Sequence, residues 1–119
     1  MSIFTPDEDV RANFRQAAEY ISEHGHYKGG YFEGGLDPVV VVPSYLTPAA
    51  CAMGALAKVA AGERSFVSES AVGYLDRRLG IPVGEWNDRP ETTAEDVILE
   101  LKRAADEYPA LPPAEGVQS

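Results

Sequence analysis

Apolar side chains recur at helical spacing along the first part of the chain. They lie three or four residues apart and form one stripe along a helix. Thr5 and Pro6 precede the stripe as an N-cap and a first helical residue, Glu8 completes a capping box, and Gly25 follows as a stop signal. The stripe consists of Val10, Phe14, Ala17, Ala18 and Ile21. This pattern predicts an amphipathic helix between Thr5 and Gly25.

The segment after this helix has a different pattern, with β-branched and aromatic runs interrupted by glycine pairs. Such runs between turn residues are typical of short strands. We expect a β-hairpin inserted at about residues 27–43, with residues 31–33 opposite residues 39–42. An isolated hairpin is marginal in water, so it would pack on the helices or lend its edge to another chain.

An alanine-rich stretch follows the predicted hairpin. Residues 47–62 carry a single charge, Lys58, and are bounded by Thr47 as an N-cap and Gly62 as a stop. A helix that is apolar on all sides is typical of a buried element, so we expect this helix at the centre of the fold. Gly54 inside it predicts a close helix crossing, because glycine costs a helix about 1 kcal/mol relative to alanine.

Two further helices are predicted in the second half of the chain. One runs from about Ser68 to Leu79, and the other begins at a cap on Thr92 or Thr93. Residues 81–91 form a structured connection between them. The expected fold is therefore mainly α with minor β content: a compact four-helix domain around the alanine-rich helix. It comprises residues 1–108, and a mobile proline-rich tail comprises residues 109–119.

Composition and charge restrict the function classes. The chain of 119 residues has 10 basic and 19 acidic side chains, a net charge of −9, which repels nucleic-acid phosphates and argues against direct DNA or RNA binding. The first ten residues have no signal-peptide pattern, and the longest apolar stretch is far shorter than the roughly 20 residues of a membrane helix. We expect a cytoplasmic protein without membrane contact or cofactor.

Three segments resemble a family of small proteins from actinobacteria and their bacteriophages, known only as a domain of unknown function. They read AAEYISEHGHYKGG, CAMGALAKVA and EWNDRPETTAEDVILELKRAA. The family has a helix ending in His-Gly-Trp, a Cys-Ala-x-Gly-Ala helix and a Trp-Asn-Asp segment before the last helix. The resemblance supports the fold and implies no reaction, ligand or partner. The matching positions are His24, Gly25, Cys51, Ala52, Gly54, Ala55, Trp86, Asn87 and Asp88. His26 stands where the family usually has tryptophan, and the hairpin insert is longer than usual.

Cys51 is the only cysteine, near the start of the predicted alanine-rich helix. The free amides of a first turn can stabilise a thiolate, and a cysteine hydrolase or transferase also needs a base and an orienting group. His24 or His26 would supply the base, and Asn87 or Asp88 the orienting group. Alanine and glycine surround Cys51, however, and free cysteine is among the most buried residue types. We therefore favour a structural thiol and keep catalysis as the alternative.

The remaining polar motif residues have structural interpretations that we prefer. His24 lies at the edge of the apolar stripe, as a core or capping residue would. His24 and His26 are too few ligands for zinc, so we expect no metal site. Trp86 would anchor its connection in the core, while Asn87 and Asp88 would satisfy backbone groups in a turn. In the functional alternative, the three would line the rim of a pocket.

The principal hypothesis is a non-enzymatic, acidic interaction protein, for example a phage-encoded accessory or host-modulating factor. It would bind a protein partner, or a second copy as a homodimer, through exposed aromatic side chains in or beside the hairpin, since aromatics are enriched at interface cores. These binding candidates are Tyr27, Tyr31, Phe32 and Tyr45. A further alternative is an acidic nucleic-acid mimic, with Asp96, Glu100 and Glu107 along one flank of the last helix.

Overall fold

The computed structural model describes residues 7–35, 43, 45–60 and 65–111 and folds them mainly into helices. Most of the described chain belongs to five helices, which confirms the mainly helical fold class. In chain order they are α1 (Asp7–His24), α2 (Ala52–Val59), α3 (Ser65–Leu79), α4 (Val83–Asp88) and α5 (Ala94–Glu107). The short α4 occupies the segment predicted as a structured connection. None of the described helices is both long and apolar enough to cross a bilayer.

The first helix ends where the sequence indicates. Its apolar stripe is buried against α5 and α2, and acidic residues occupy its first turn, where they complement the helix dipole. Gly25 closes the helix with φ +104°, and its N–H donates to the carbonyl of Ile21 at 2.9 Å. The predicted cap at Thr5 and Pro6 lies outside the described residues.

The alanine-rich helix packs against α1, α3 and α4, and it begins later than predicted. Ala52, Ala55 and Leu56 are fully buried, while Thr47 is exposed and precedes the helix. The N-cap is Cys51, whose sulfur accepts a hydrogen bond from the N–H of Gly54 at 3.2 Å. The predicted stop at Gly62 lies outside the described residues.

Backbone pairing at Ala50 explains this late start. Ala50 pairs with His26 in parallel and with Phe32 in antiparallel orientation. The N–H of Tyr27 donates to the Ala50 carbonyl, and the N–H of Ala50 donates to the Gly25 carbonyl, at 2.9 and 3.1 Å. A helix beginning at Thr47 would use the Ala50 carbonyl to accept from the N–H of Gly54. That carbonyl accepts from Tyr27 and the N–H of Gly54 binds the Cys51 sulfur, so the helix begins after Ala50.

The predicted β-hairpin is not found within the described residues. Residues 31–33 lie opposite residues 49–51: the N–H of Glu33 donates to Ala49, and the N–H of Cys51 donates to Tyr31, at 2.9 and 3.0 Å. These are isolated bridges and not strands. Residues 39–42, the predicted partner, lie outside the described part of the chain.

The C-terminal helices are held by a cap, an ion-pair cluster and an aromatic cluster. Thr93 caps α5 in a capping box with Asp96. Arg78 on α3 binds Glu100 and Glu107 on α5, and the hydroxyl of Tyr74 donates to the carbonyl of Ala110. The rings of Phe14, Tyr74 and Tyr108 pack together beside these contacts. The first residues of the predicted tail are therefore bound to the bundle, and residues 112–119 lie outside the described part.

Candidate functional site

Asn87 is the centre of the main buried polar network. It is 0% exposed, and its side chain hydrogen-bonds to four groups. Its Oδ1 accepts from the N–H of Ala52 at 3.0 Å and lies 2.7 Å from Nε2 of His26. Its Nδ2 donates to the carbonyl of Tyr27 at 3.1 Å and to Oδ1 of Asp88 at 3.0 Å. One side chain thus joins the loop after α1, the beginning of α2 and the end of α4.

The backbone partners of Asn87 determine the tautomer of His26. A backbone N–H can only donate and a carbonyl can only accept, so Ala52 and Tyr27 fix which end of the amide is oxygen. Nε2 of His26 must then donate its proton to that oxygen. In a neutral imidazole the other ring nitrogen is left as an acceptor. His26 therefore acts here as a donor that holds the loop after α1.

A second set of contacts holds the same loop to the residues after Asn87. The N–H of Gly29, at φ +89°, donates to Oδ1 of Asp88 at 3.0 Å. The Lys28 ammonium donates to the carbonyl of Arg89 at 2.6 Å. Residues 26–29 are consequently attached to residues 87–89 by both side-chain and backbone groups.

The short α4 places Asn87 in the interior. Asp76 accepts a hydrogen bond from the N–H of Val83 at 2.8 Å at the beginning of this helix. Trp86 is half-buried and packs against the core. Asn87 lies four residues after the buried Val83, so both side chains are on the inward face of α4. Its neighbour Asp88 stays at the surface.

The environment of Cys51 is that of a protonated thiol. The side chain is 5% exposed. Burial raises its pKa above the ordinary value, and the charge of Asp88 adds to the rise, while the N–H groups of Gly54 and Met53 oppose it. Only a thiolate is a strong nucleophile. Among the described residues no histidine nitrogen hydrogen-bonds to Cys51; the sulfur accepts from the N–H of Gly54.

His24 lies apart from the Asn87 network. Its ring packs on Tyr20 with 4.7 Å between the centroids, and its Nε2 is 3.7 Å from Glu23. Tyr20 also lies beneath the Lys58 ammonium and donates its hydroxyl to Pro48 at 2.7 Å. Of the two candidate bases, the structure brings only His26 to Asn87. No group of three or more potential metal-binding side chains occurs in the described ranges.

The four candidate binding aromatics have different exposures. Tyr45 is 81% exposed and Tyr31 37%, whereas Tyr27 is half-buried and Phe32 is 1% exposed. Phe32 belongs to the core, which corrects the expectation that it is a surface residue. The reason is its pairing with Ala50, which directs the ring inward.

Leu46 is an exposed apolar residue that the sequence analysis did not identify. It is 40% exposed and follows Tyr45 in a turn closed by its own N–H to the carbonyl of Pro43 at 3.0 Å. The available signal was the preceding Pro43-Ser44 pair, since proline and serine are typical of turns at the surface. We refer to Tyr31, Tyr45 and Leu46 together as the loop surface.

Comparison with known proteins gives a family. A family model, described as a family of unknown function (DUF6197), matches residues 5–107. No curated protein and no solved structure matches the chain. The match covers the Asn87 network, Cys51 and the loop surface, so all these features lie within the family domain.

Proposed function

We propose that this chain, which belongs to the family of unknown function DUF6197, is a non-enzymatic protein that binds a protein partner through the loop surface. The observation that carries the proposal is the 81% exposure of Tyr45 beside the 40% exposure of Leu46. Large apolar side chains together on a surface are typical of interaction sites, and tyrosine is enriched at the centre of interfaces.

The anchoring of the loop surface supports this proposal. Tyr31 follows the loop that Asn87 and Asp88 hold, and its carbonyl accepts from Cys51. The turn that carries Tyr45 and Leu46 leads directly into residues 49–51, which pair with residues 31–33. A surface that is ordered before binding loses less conformational entropy in the complex. In this proposal the contacts of Asn87, Asp88 and Cys51 hold the loop that presents the apolar side chains.

The alternative of a cysteine-dependent enzyme receives less support. Cys51 is a buried cap with a raised pKa, and the bonded nitrogen of His26 faces Asn87. The groups that resemble a catalytic set thus bind the backbone and one another. Binding of a protein partner, whether a second copy or another protein, does not require Cys51, His26 or Asn87 to be free of these hydrogen bonds.

The alternative of a nucleic-acid mimic depends on a free row of carboxylates along α5. Asp96 is engaged in the capping box with Thr93, and Glu100 and Glu107 both bind Arg78. Glu100 and Glu107 are therefore partly neutralised by Arg78, while the charge of Asp96 is retained. A role as a phage-encoded accessory, and an actinobacterial or phage origin, are supported by the motif resemblance alone.

Affinity capture with matched surface variants tests the proposed function. The wild-type chain is compared with the double variant Tyr45→Ser/Leu46→Ser, and with Phe66→Ser as control, because Phe66 is a 72% exposed aromatic on another element. We expect a specific partner to be captured by the wild type and the control and lost by the double variant. Sedimentation of the same three proteins identifies a partner that is a second copy. Equal capture by all three would contradict the proposal.

A further inference from the structure

The exposed corner formed by α4, its link to α5, the first turn of α5 and the loop at residues 28–33 is strongly acidic. It presents six exposed carboxylates and two basic side chains, so it accounts for almost half of the net charge of −9. The carboxylates belong to Glu33, Glu85, Asp88, Glu91, Glu95 and Asp96, and the basic groups to Lys28 and Arg89.

This acidic corner is continuous with the loop surface. Asp88 accepts the N–H of Gly29 at 3.0 Å, two residues before the exposed Tyr31. Glu33 follows Tyr31 by two residues, and its N–H binds Ala49, in the segment that leads back to Leu46. The apolar side chains therefore have negative charge along one border.

Charge is more evenly balanced on α3 and the second half of α5. Arg78 lies between Glu100 and Glu107, and further basic side chains stand close by along the two helices. These are Arg77, Lys102 and Arg103. The first helix also carries a negative excess, with five carboxylates against Arg11 and Arg15. The acidic corner is therefore distinguished by its position next to Tyr31, where its charges favour a positively charged partner.

We propose, building on the proposed function, that the loop surface binds a basic protein segment in which lysine or arginine side chains flank an apolar residue. The apolar residue would pack on Tyr31, Tyr45 and Leu46, and the basic side chains would lie against the carboxylates of the acidic corner. Charges at the rim of an interface influence the choice of partner and the association rate more than they influence the affinity. Nucleic acids and anionic membranes are repelled by the same charges.

Selection of displayed random peptides tests this inference with the full chain. Peptides are selected on the wild type and counter-selected on Tyr45→Ser/Leu46→Ser, so that survivors bind the loop surface. We expect survivors to be rich in lysine and arginine next to aromatic or aliphatic residues. Their dissociation constants are then measured by calorimetry at low and high salt, and we expect binding to weaken as salt screens the charges.

Two charge-reversal variants separate the acidic corner from the rest of the surface. Glu33→Lys/Glu91→Lys reverses two charges of the acidic corner. Glu19→Lys/Glu23→Lys reverses two charges at exposed positions of α1 and changes the net charge of the protein by the same amount. We expect the first to weaken peptide binding about tenfold and the second by no more than about twofold. Circular dichroism verifies that both variants are folded.

The outcomes distinguish the two proposals. Equal effects of the two reversals, or survivors that are acidic or uncharged, would overturn the basic-partner inference and leave the loop surface as a binding site. If no peptide prefers the wild type to Tyr45→Ser/Leu46→Ser, the proposed function fails and the inference fails with it.

Discussion

Gly54 lies directly against the carbonyl oxygen of Tyr31, and a β carbon at position 54 would fall well inside 3.0 Å of that oxygen. The same oxygen accepts the N–H of Cys51 at 3.0 Å. Gly54 is therefore required by the approach of a loop to the first turn of α2. This corrects the expectation of a helix crossing at this glycine.

Replacing Gly54 tests this relationship. We expect Gly54→Ala to lower the free energy of unfolding by about 2 kcal/mol, because the methyl group meets backbone that cannot rotate away. Gly73→Ala is the matched control, since Gly73 is also helical and its added β carbon would be 3.7 Å from Arg77. The control should be neutral or up to about 1 kcal/mol more stable. Urea unfolding measures both, and similar changes in the two variants would exclude the proposed role of Gly54.

Local signals in the sequence were sufficient to predict the end of α1 and the beginning of α5. Gly25 ends α1, and Thr93 caps α5 with Asp96, because these contacts form between residues close in the chain. The beginning of α2 was predicted wrongly, since the strong Thr-Pro signal at Thr47 competes with backbone pairing of Ala50 to the distant residues His26 and Phe32. Tertiary pairing decided that boundary.

In the candidate site, too, the sequence predicts local features better than contacts between distant residues. His26 and Cys51 are candidate catalytic residues by sequence, and Asn87 is a motif residue, but residue types do not specify which groups meet. The bond between His26 and Asn87 joins positions 61 apart, and its backbone partners in Ala52 and Tyr27 have no sequence signature. The burial of Phe32 was missed for a related reason, because its environment depends on the distant Ala50.

The second prediction concerns the buried amide. We expect Asn87→Ala to lower the free energy of unfolding by about 3 kcal/mol, because it leaves the buried N–H of Ala52 and the carbonyl of Tyr27 without their partner. Gln16→Ala removes an amide from an exposed position of α1 and should change the free energy of unfolding by less than about 1 kcal/mol. Chemical denaturation of both variants measures the difference. A small loss for Asn87→Ala would show that the network does not hold the loop.

The third prediction concerns the reactivity of Cys51. Because the thiol is buried and its pKa is raised, we expect iodoacetamide to label the native protein slowly and the unfolded protein rapidly. Mass spectrometry with and without urea measures the two rates. Rapid labelling of the native chain at neutral pH would favour the enzyme alternative.

The fourth prediction concerns pH, and it follows from the same raised pKa of Cys51. Below the ordinary thiol pKa of about 8.5 the group is protonated in both states and stability does not depend on it. Above that value the unfolded chain ionises first, so the free energy of unfolding falls until pH exceeds the native pKa. Cys51→Ser keeps a capping oxygen and should lack this decline. Urea unfolding of both proteins across this pH range measures the two slopes, and parallel slopes would contradict the prediction.

The last prediction concerns the ion-pair cluster between α3 and α5. The side chain of Arg78 is 6% exposed, with Glu100 at 15% and Glu107 at 48%. Burial alone would lower the pKa of Arg78, but hydrogen bonds to both carboxylates raise it, so the guanidinium stays charged. We expect Arg78→Met to lower the free energy of unfolding by about 2 kcal/mol, since it leaves Glu100 without its partner while water screens Glu107. Arg77→Met, at the exposed neighbouring position, should change stability by about 0.5 kcal/mol or less. Thermal and urea unfolding of both variants measure the difference, and equal losses would show that the cluster adds nothing to the attachment of α3 to α5.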